Sequence, residues 1–335
     1  MRMVQAQRLH AWTHAVFQAC GLSRQHAMTV ADLLVDTSLR GIDTHGVSRI
    51  PAYVELLARG KNKAQPQFKI IERKASLEFD ADFSLGQVAG MAAVDAAYER
   101  AKSLGFAFVT IRNTGHLGAL GYFTRHLAEK GMLACLMQNA PPLMALPGFK
   151  RRAIGNNPLS FAAPVEGSLP FVFDMAASEA AFGKIIEAKR DGKSIPDGWA
   201  LDKDGNPTND SAKAFEGMLL PTAGAKGMGI AMMVECLAGG FTGTDPSKLE
   251  GVPGLPAAFG GFLMVINPYE FQDGPEFDAH MRKWVQFYRA SGADARYPGE
   301  RRAEVAMQRS KDGIPVSEDL DRAFAAVAEK AGVPL

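Results

Sequence analysis

The sequence predicts an α/β protein. Three observations carry that prediction: short apolar strand patterns alternate with helical ones through the middle of the chain, helical periodicity occupies both ends, and the composition is of ordinary globular type. Of the 335 residues, 47% are hydrophobic and 22% charged, and mean hydropathy is near zero. These proportions belong to folded domains rather than to disordered or membrane-embedded chains.

Taken in order, residues 5–39 read as two helices. Ser23 is the N-cap of the second, Ala27, Val30, Leu33 and Leu34 recur at helical spacing, and Gly41 is the stop. Ile50, Val54 and Leu57 predict a third helix over 47–59, ended by Gly60, so that His45 precedes a helix N-terminus. Strands are predicted at 68–71 and 75–79, then a long Ala-rich helix over 87–103. A buried strand at 106–111, a helix over 118–129 and a strand at 132–137 continue the alternation around a sheet. Further strands are expected at 161–164 and 169–173, and residues 174–189 read as a loop entering a helix. The Asp-, Gly-, Pro- and Lys-rich stretch 190–210 reads as a long polar loop. A glycine-rich turn at 221–229 runs into an apolar helix over 230–238, and 262–266 is one more strand. The tail is helical from Phe277, breaks at Tyr297, Pro298, Gly299 and Glu300, and ends in an amphipathic helix from Ser317.

Charge and cysteine usage narrow the function classes. The 37 basic residues nearly cancel the 36 acidic ones, so no general field exists to hold a polyanion, and nucleic acid is not expected as a partner. Cys20, Cys135 and Cys236 lie far apart with no C-x-x-C or metal-ligand spacing, which points to a reducing compartment and to no metal site. The first residues, M-R-M-V-Q-A-Q-R-L-H, hold no uninterrupted apolar region, and no stretch approaches the roughly 20 apolar residues of a membrane span. The expected location is the cytoplasm.

Three segments carry candidate chemistry. In G-I-D-T-H-G-V-S-R-I-P-A-Y, Arg49 stands four residues after His45 and Tyr53 four after Arg49, which brings all three toward one pocket beside the hydroxyl of Thr44. Histidine exchanges protons near neutral pH and arginine clamps carboxylates with a planar fork, a pairing suited to a 2-hydroxy or 2-oxo acid. The plain structural alternative is a helix cap, with Asp43 or Thr44 capping and Arg49 solvated. In N-T-G-H-L-G-A-L-G, His116 follows a buried strand and opens a helix, at the carboxyl end of a strand where ligands of α/β sheets collect. A structural turn histidine is the alternative there. His10, His14, His26, His126 and His280 lie on predicted helices and read as surface or packing residues. The turn Gly224-Ala225-Lys226-Gly227-Met228-Gly229 presents free backbone N–H groups and a lysine, a recipe for holding phosphate. The Rossmann fingerprint is absent, because Met232 stands where its third glycine belongs. G-x-S-x-G, P-loop and H-E-x-x-H motifs are also absent, which argues against hydrolase, nucleotide kinase and zinc peptidase classes.

These segments, together with L-G-Q, V-T-I-R-N-T-G-H-L-G-A-L-G-Y-F, G-N-N-P-L-S-F-A-A-P, V-F-D-M-A-A-S, L-L-P-T-A-G-A-K-G-M-G and Y-P-G-E-R, resemble the malate/L-lactate dehydrogenase family of the non-Rossmann type, in the family's order. The resemblance implies a mixed-sheet, dinucleotide-binding α/β domain over 75–266. A mainly helical domain built from both chain ends, 1–74 with 267–335, would flank it. It implies a homodimer with active sites near the subunit interface, and NAD(H) or NADP(H) as cofactor, with NAD(H) slightly favoured. Members act on malate, lactate, sulfolactate, ureidoglycolate, a diketogulonate or cyclic imine acids.

Residue by residue, the resemblance makes His45 the proton donor, helped by Thr44, and Arg49 the carboxylate clamp, with Tyr53 at the substrate. His116 becomes a second acid/base candidate that also touches substrate and cofactor. Asp174 matches the acidic residue beside the cofactor, with Asn156, Met175, Ala176 and Ser178 lining it. Ala225, Lys226 and Gly227 match the glycine-rich turn, and Pro298, Gly299 and Glu300 the C-terminal cofactor contact. Two positions depart from the commoner pattern: Thr44 replaces serine before the histidine, and Asn156 replaces threonine. The expected activity is hydride transfer at C2 of a small 2-oxo or 2-hydroxy acid. Reduction of a pyrroline- or piperideine-2-carboxylate, and a non-catalytic dinucleotide-binding role, are the alternatives.

Overall fold

A computed structural model describes residues 2–74, 76–244, 258–271 and 274–335. β1 (Arg2–Val4) leads into α1 (Ala6–Ala19) and α2 (Arg24–Leu39). Ser23 caps α2 by accepting from the His26 amide, as the sequence predicts. Two 3₁₀ turns, Asp43–His45 and Val47–Arg49, then precede α3 (Ile50–Ala58). The predicted helix over 47–59 is therefore α-helical only from Ile50. Pro51 in the first turn of α3 has no N–H to lose there.

β2 (Lys69–Glu72), β3 (Ser76–Asp80), α4 (Gly86–Leu104), β4 (Phe106–Thr114), α5 (Leu120–Glu129) and β5 (Leu133–Gln138) follow the predicted alternation. Ala75, the predicted start of β3, lies outside the described residues. Next come β6 (Pro142–Met144), β7 (Ile154–Gly155), β8 (Leu159–Ala163), β9 (Phe171–Met175) and α6 (Phe182–Arg190). The stretch read as a polar loop holds β10 (Ala200–Leu201) and β11 (Pro207–Thr208), an antiparallel pair. Two-residue strands are too short to show a period, so only their pairing, of β10 with β11 and β12, reveals them.

α7 (Ser211–Glu216) and β12 (Met218–Leu219) lead to α8 (Ala225–Val234), which relaxes into a π-helical turn at Glu235–Gly239. The helix read as starting at residue 230 thus begins inside the glycine-rich turn. β13 (Phe259–Ile266), α9 (Gly274–Arg289), α10 (Glu300–Asp312), β14 (Ile314–Val316) and α11 (Glu318–Ala331) complete the chain.

The main sheet has seven strands in the order β2-β3-β4-β13-β5-β8-β9. Only β3 and β4 run parallel in it. Late in sequence, β13 takes a central place because its residues are apolar on both faces and fit only between two partners. A second sheet, β11-β10-β12-β6-β7, stands beside it, and β1 pairs antiparallel with β14. The largest apolar core joins α1 to α5, the sheet and α11. Within it, Trp12 lies 4.9 Å from Phe324, centroid to centroid. Among the described residues, no helix is long and apolar enough to cross a membrane.

Candidate active site

The first predicted segment leaves the C-terminus of α2 through Gly41, in the left-handed region at φ +73°, and folds back on that helix. Gly46 is required for the return, since a Cβ there would lie 2.0 Å from Ser38 Oγ. That hydroxyl accepts the Val47 amide at 2.9 Å. Thr44 Oγ1 meets His45 Nδ1 at 2.9 Å, and Arg49 Nε donates to the Thr44 carbonyl at 2.6 Å. His45, Arg49 and Tyr53 do share one cleft, by way of two 3₁₀ turns rather than the α-helical spacing that the sequence suggested.

The second segment enters from β4. The N-terminus of α4 presses against it so closely that a Cβ on Gly86 would sit 2.2 Å from the His116 carbonyl oxygen. Gln87 Nε2 donates to the carbonyls of His116 and Leu117, and Gln138 Oε1 accepts the Leu117 amide. So held, His116 lies 5.6 Å from His45, centroid to centroid. Its Nδ1 is 2.9 Å from the hydroxyl of buried Tyr53, and Phe259 flanks its ring. Each imidazole is therefore fixed at Nδ1 by a hydroxyl, while among the described residues neither Nε2 has a hydrogen-bond partner. The terminal nitrogens of Arg49 are equally free there, since only its Nε is engaged.

Electrostatics keep both rings neutral. Burial, reinforced by Arg49, pushes His45 down to about 4. Burial, then His45 and Arg49, hold His116 well below the usual histidine range. On the edge strand β9, Asp174 accepts the Gly121 amide at 2.8 Å near the start of α5. Water reaches it from the cleft, and protein surrounds it elsewhere. Desolvation raises its carboxyl to about 6 against the pull of Gly121 and Arg302.

The cleft encloses about 1540 Å³, more than the roughly 300–1,000 Å³ of an ordinary small-molecule site. Its size accommodates a dinucleotide together with a small acid. Thr44, His45, Arg49, Tyr53, His116, Asn156, Asp174, Met175, Ala176, Pro298 and Gly299, all singled out from sequence, line it. Five others stand off its wall. Ser178 is buried and donates to the Ala180 carbonyl. Ala225 and Lys226 open α8 with exposed side chains, and buried Gly227 closes that turn on Thr222. Glu300 accepts the Tyr297 amide and pairs with Arg289.

Sequence reasoning missed Gln87, Gln138, Phe259 and Arg309 of α10, whose guanidinium bonds Asp43. Gln87 stood inside a quoted motif without a role. Phe259 and Arg309 have no local signal, because only packing brings them to the segments that carry the histidines.

A guanidinium with free terminal nitrogens beside two neutral imidazoles, in a cleft of dinucleotide size, supplies the groups that a hydroxy-acid oxidoreductase requires. Residues 4–324 match the family described as malate/L-lactate dehydrogenase, and the chain belongs to that family. It is 32% identical to the malate/(S)-sulfolactate dehydrogenase of Methanothermus fervidus, over 96% of this chain and 95% of that one. Identity is 34% to the ureidoglycolate dehydrogenase (NAD(+)) of Escherichia coli strain K12, over 95% and 93%. It is 33% to the (2R)-3-sulfolactate dehydrogenase (NADP(+)) of Chromohalobacter salexigens, over 92% and 93%. Among solved structures, the delta1-piperideine-2-carboxylate reductase of Pseudomonas syringae superposes with a TM-score of 0.87 at 30% identity, covering 98% of this chain and 99% of that one. The protein is thus an NAD(P)-dependent oxidoreductase of the 2-hydroxy acid type.

Proposed function

We propose that this protein interconverts a small 2-hydroxy acid and its 2-oxo acid, with the substrate carboxylate on Arg49 and the C2 oxygen at the Nε2 atoms of His45 and His116. The observation that carries the reading is the convergence of two Nδ1-anchored imidazoles and one free guanidinium fork in one cleft. NAD(P)(H), when bound, supplies or takes up the hydride at C2. Asn156, Asp174, Met175, Ala176, Pro298 and Gly299 would hold it, since they line the arm of the cleft along β9 and the start of α10.

The residues divide the remaining work. Arg49 orients the substrate through a bidentate carboxylate contact. A neutral imidazole takes the C2 hydroxyl proton during oxidation, and the resulting imidazolium returns it during reduction. The bound carboxylate offsets part of the Arg49 charge that depresses the histidines, which makes protonation easier once substrate is present. Thr44 and Tyr53 keep the rings aimed.

NAD(H) remains the favoured cofactor in this proposal, because three cleft cations other than Arg49 are turned to protein groups. Arg152 donates to the Gly217 and Phe215 carbonyls, Arg302 donates to that of Gly41, and Lys184 lies over the Trp199 ring. A homodimer is proposed from the apolar outer face of α8 and its continuation, where Met232, Met233 and Phe241 are 53%, 42% and 62% exposed. Residues 1–74 with 267–335 form the proposed helical part and 75–266 the cofactor part. The pairing of β1 with β14 supports that division. A cytoplasmic location fits the free thiols of Cys20, Cys135 and Cys236.

Turnover of a panel of 2-oxo acids with NADH and NADPH tests the reading. Replacing His45 with Ala is expected to lower kcat by about 10²- to 10⁴-fold with cofactor affinity kept. Binding of cofactor without turnover of any acid refutes it. A cyclic imine acid as substrate is the second reading, favoured by the likeness to the piperideine-carboxylate reductase. In that case His45→Ala harms imine reduction less than carbonyl reduction.

A further inference from the structure

The turn that carries His45 and the helix α6 belong to different packing units. Val47 and Ile50 of the turn and its helix are buried in the largest apolar core. Ile185 of α6 is buried in a second core with Met144, Ala177, Ala200 and Leu219. Thr44 and Gly183, both on the cleft wall, bring the two units into contact. A Cβ on Gly183 would lie 2.9 Å from Thr44 Cγ2 and 3.1 Å from Thr44 Cβ, nearer than unbonded carbons settle, yet 3.9 Å from Thr44 Oγ1. The methyl of Thr44 therefore faces Gly183. Its hydroxyl faces away, 2.9 Å from His45 Nδ1.

Both sides of this contact are held from behind. The Thr44 carbonyl accepts Arg49 Nε at 2.6 Å, which pins its backbone. In α6, Ile185 is fully buried and Phe182 stacks on Phe215 with ring centroids 5.6 Å apart. The freedom that remains is the Thr44 side-chain torsion. Methyl and hydroxyl hang from one tetrahedral carbon, so a turn to the next staggered well moves both. A side chain at position 183 would drive the methyl out and carry the hydroxyl off Nδ1.

We propose that Gly183 is a positioning residue for the reaction: by leaving room for the Thr44 methyl, it fixes the Thr44 hydroxyl on His45 Nδ1 and so aims Nε2 at the C2 oxygen. This rests on the reading of the cleft as a 2-hydroxy acid site. The device needs threonine, because a serine at position 44 has no methyl for α6 to hold.

A double-mutant cycle tests it. Gly183→Ala is expected to lower kcat for 2-oxo acid reduction about tenfold or more, with the Kd for NADH kept. In a Thr44→Ser background, where no methyl stands in the way, the same change at Gly183 should alter kcat by no more than about twofold. Equal losses in the two backgrounds overturn the proposal. NMR reads the torsion itself, from three-bond couplings of the labelled Thr44 methyl to its backbone nitrogen and carbonyl carbon. The signal is assigned by its loss in Thr44→Ser. One rotamer is expected in the wild type and a different one in Gly183→Ala. A wild-type methyl averaged over several rotamers overturns the proposal even if no variant folds. A torsion that moves as expected, in a protein that turns over no 2-oxo acid, instead refutes the functional reading alone.

Discussion

Arg309 of α10 reaches across to the turn that carries His45, and its removal offers a quantitative test of how that turn is held. Its guanidinium donates to the Ser38 carbonyl at 2.6 Å and to both carboxylate oxygens of Asp43, at 2.6 and 2.9 Å. The Asp43 side chain is 47% exposed and that of Arg309 19%, so solvent screens the pair. Arg309→Met is therefore expected to cost about 1–2 kcal/mol, between a surface ion pair and a buried charge-assisted bond. For a chain of this size that lowers Tm by only a few degrees.

The catalytic effect should be larger. The Asp43 carbonyl also accepts the Ser48 hydroxyl at 2.5 Å and the Gly46 amide at 3.4 Å, so Asp43 is integral to the turn. A displacement of about 1 Å at a reacting group costs on the order of 10²-fold. Steady-state kinetics should show kcat/KM down by about 10- to 10²-fold, with the Kd for NADH unchanged. Arg309→Lys recovers only part of it, because a point charge cannot span both oxygens and the carbonyl. A kcat/KM within about twofold of wild type in a variant whose Tm has fallen would show that the turn holds itself.

Arg49→Lys should chiefly raise the substrate KM, since the planar fork is lost while the charge stays; an unchanged KM places the carboxylate elsewhere. Gly86→Ala forces a Cβ to within 2.2 Å of the His116 carbonyl oxygen, and overpacking of about 1–3 kcal/mol should accompany a loss of activity. Wild-type Tm with full activity would mean that the loop yields freely. Acid should destabilise the fold through His45, which sits at about 4 when folded against 6.5 ordinarily. The unfolded chain then binds more protons between those values, so this contribution is complete above pH 6.5 and is lost as pH falls toward 4. At most about 3 kcal/mol is involved. Urea titrations across that range should show a shallower slope in His45→Gln, and an identical slope removes His45 as the source.

Local pattern made much of this protein legible. Ser23 before Ala27 and Val30 specifies α2, and a branched apolar run specifies β4, because capping and side-chain period act within a few residues. The segment from Asp43 to Tyr53 likewise carries its own chemistry, a histidine suited to proton exchange and an arginine suited to carboxylate binding within two turns.

Contacts made across long stretches of chain were not legible. Burial decided that β13 enters the centre of the sheet, and pairing between distant residues decided that β10 and β11 are strands at all. Packing of α4 on the loop after β4 decided that His116 faces His45, and that Gln87 stands behind it. Lys226 of the glycine-rich turn stands exposed outside the cleft that its pattern had suggested it would line. The sequence by itself determined which reactive groups exist and the class of reaction they serve. The tertiary structure decided which of them meet, because their neighbours are chosen by the matching of buried faces and buried hydrogen bonds, which no local spacing encodes.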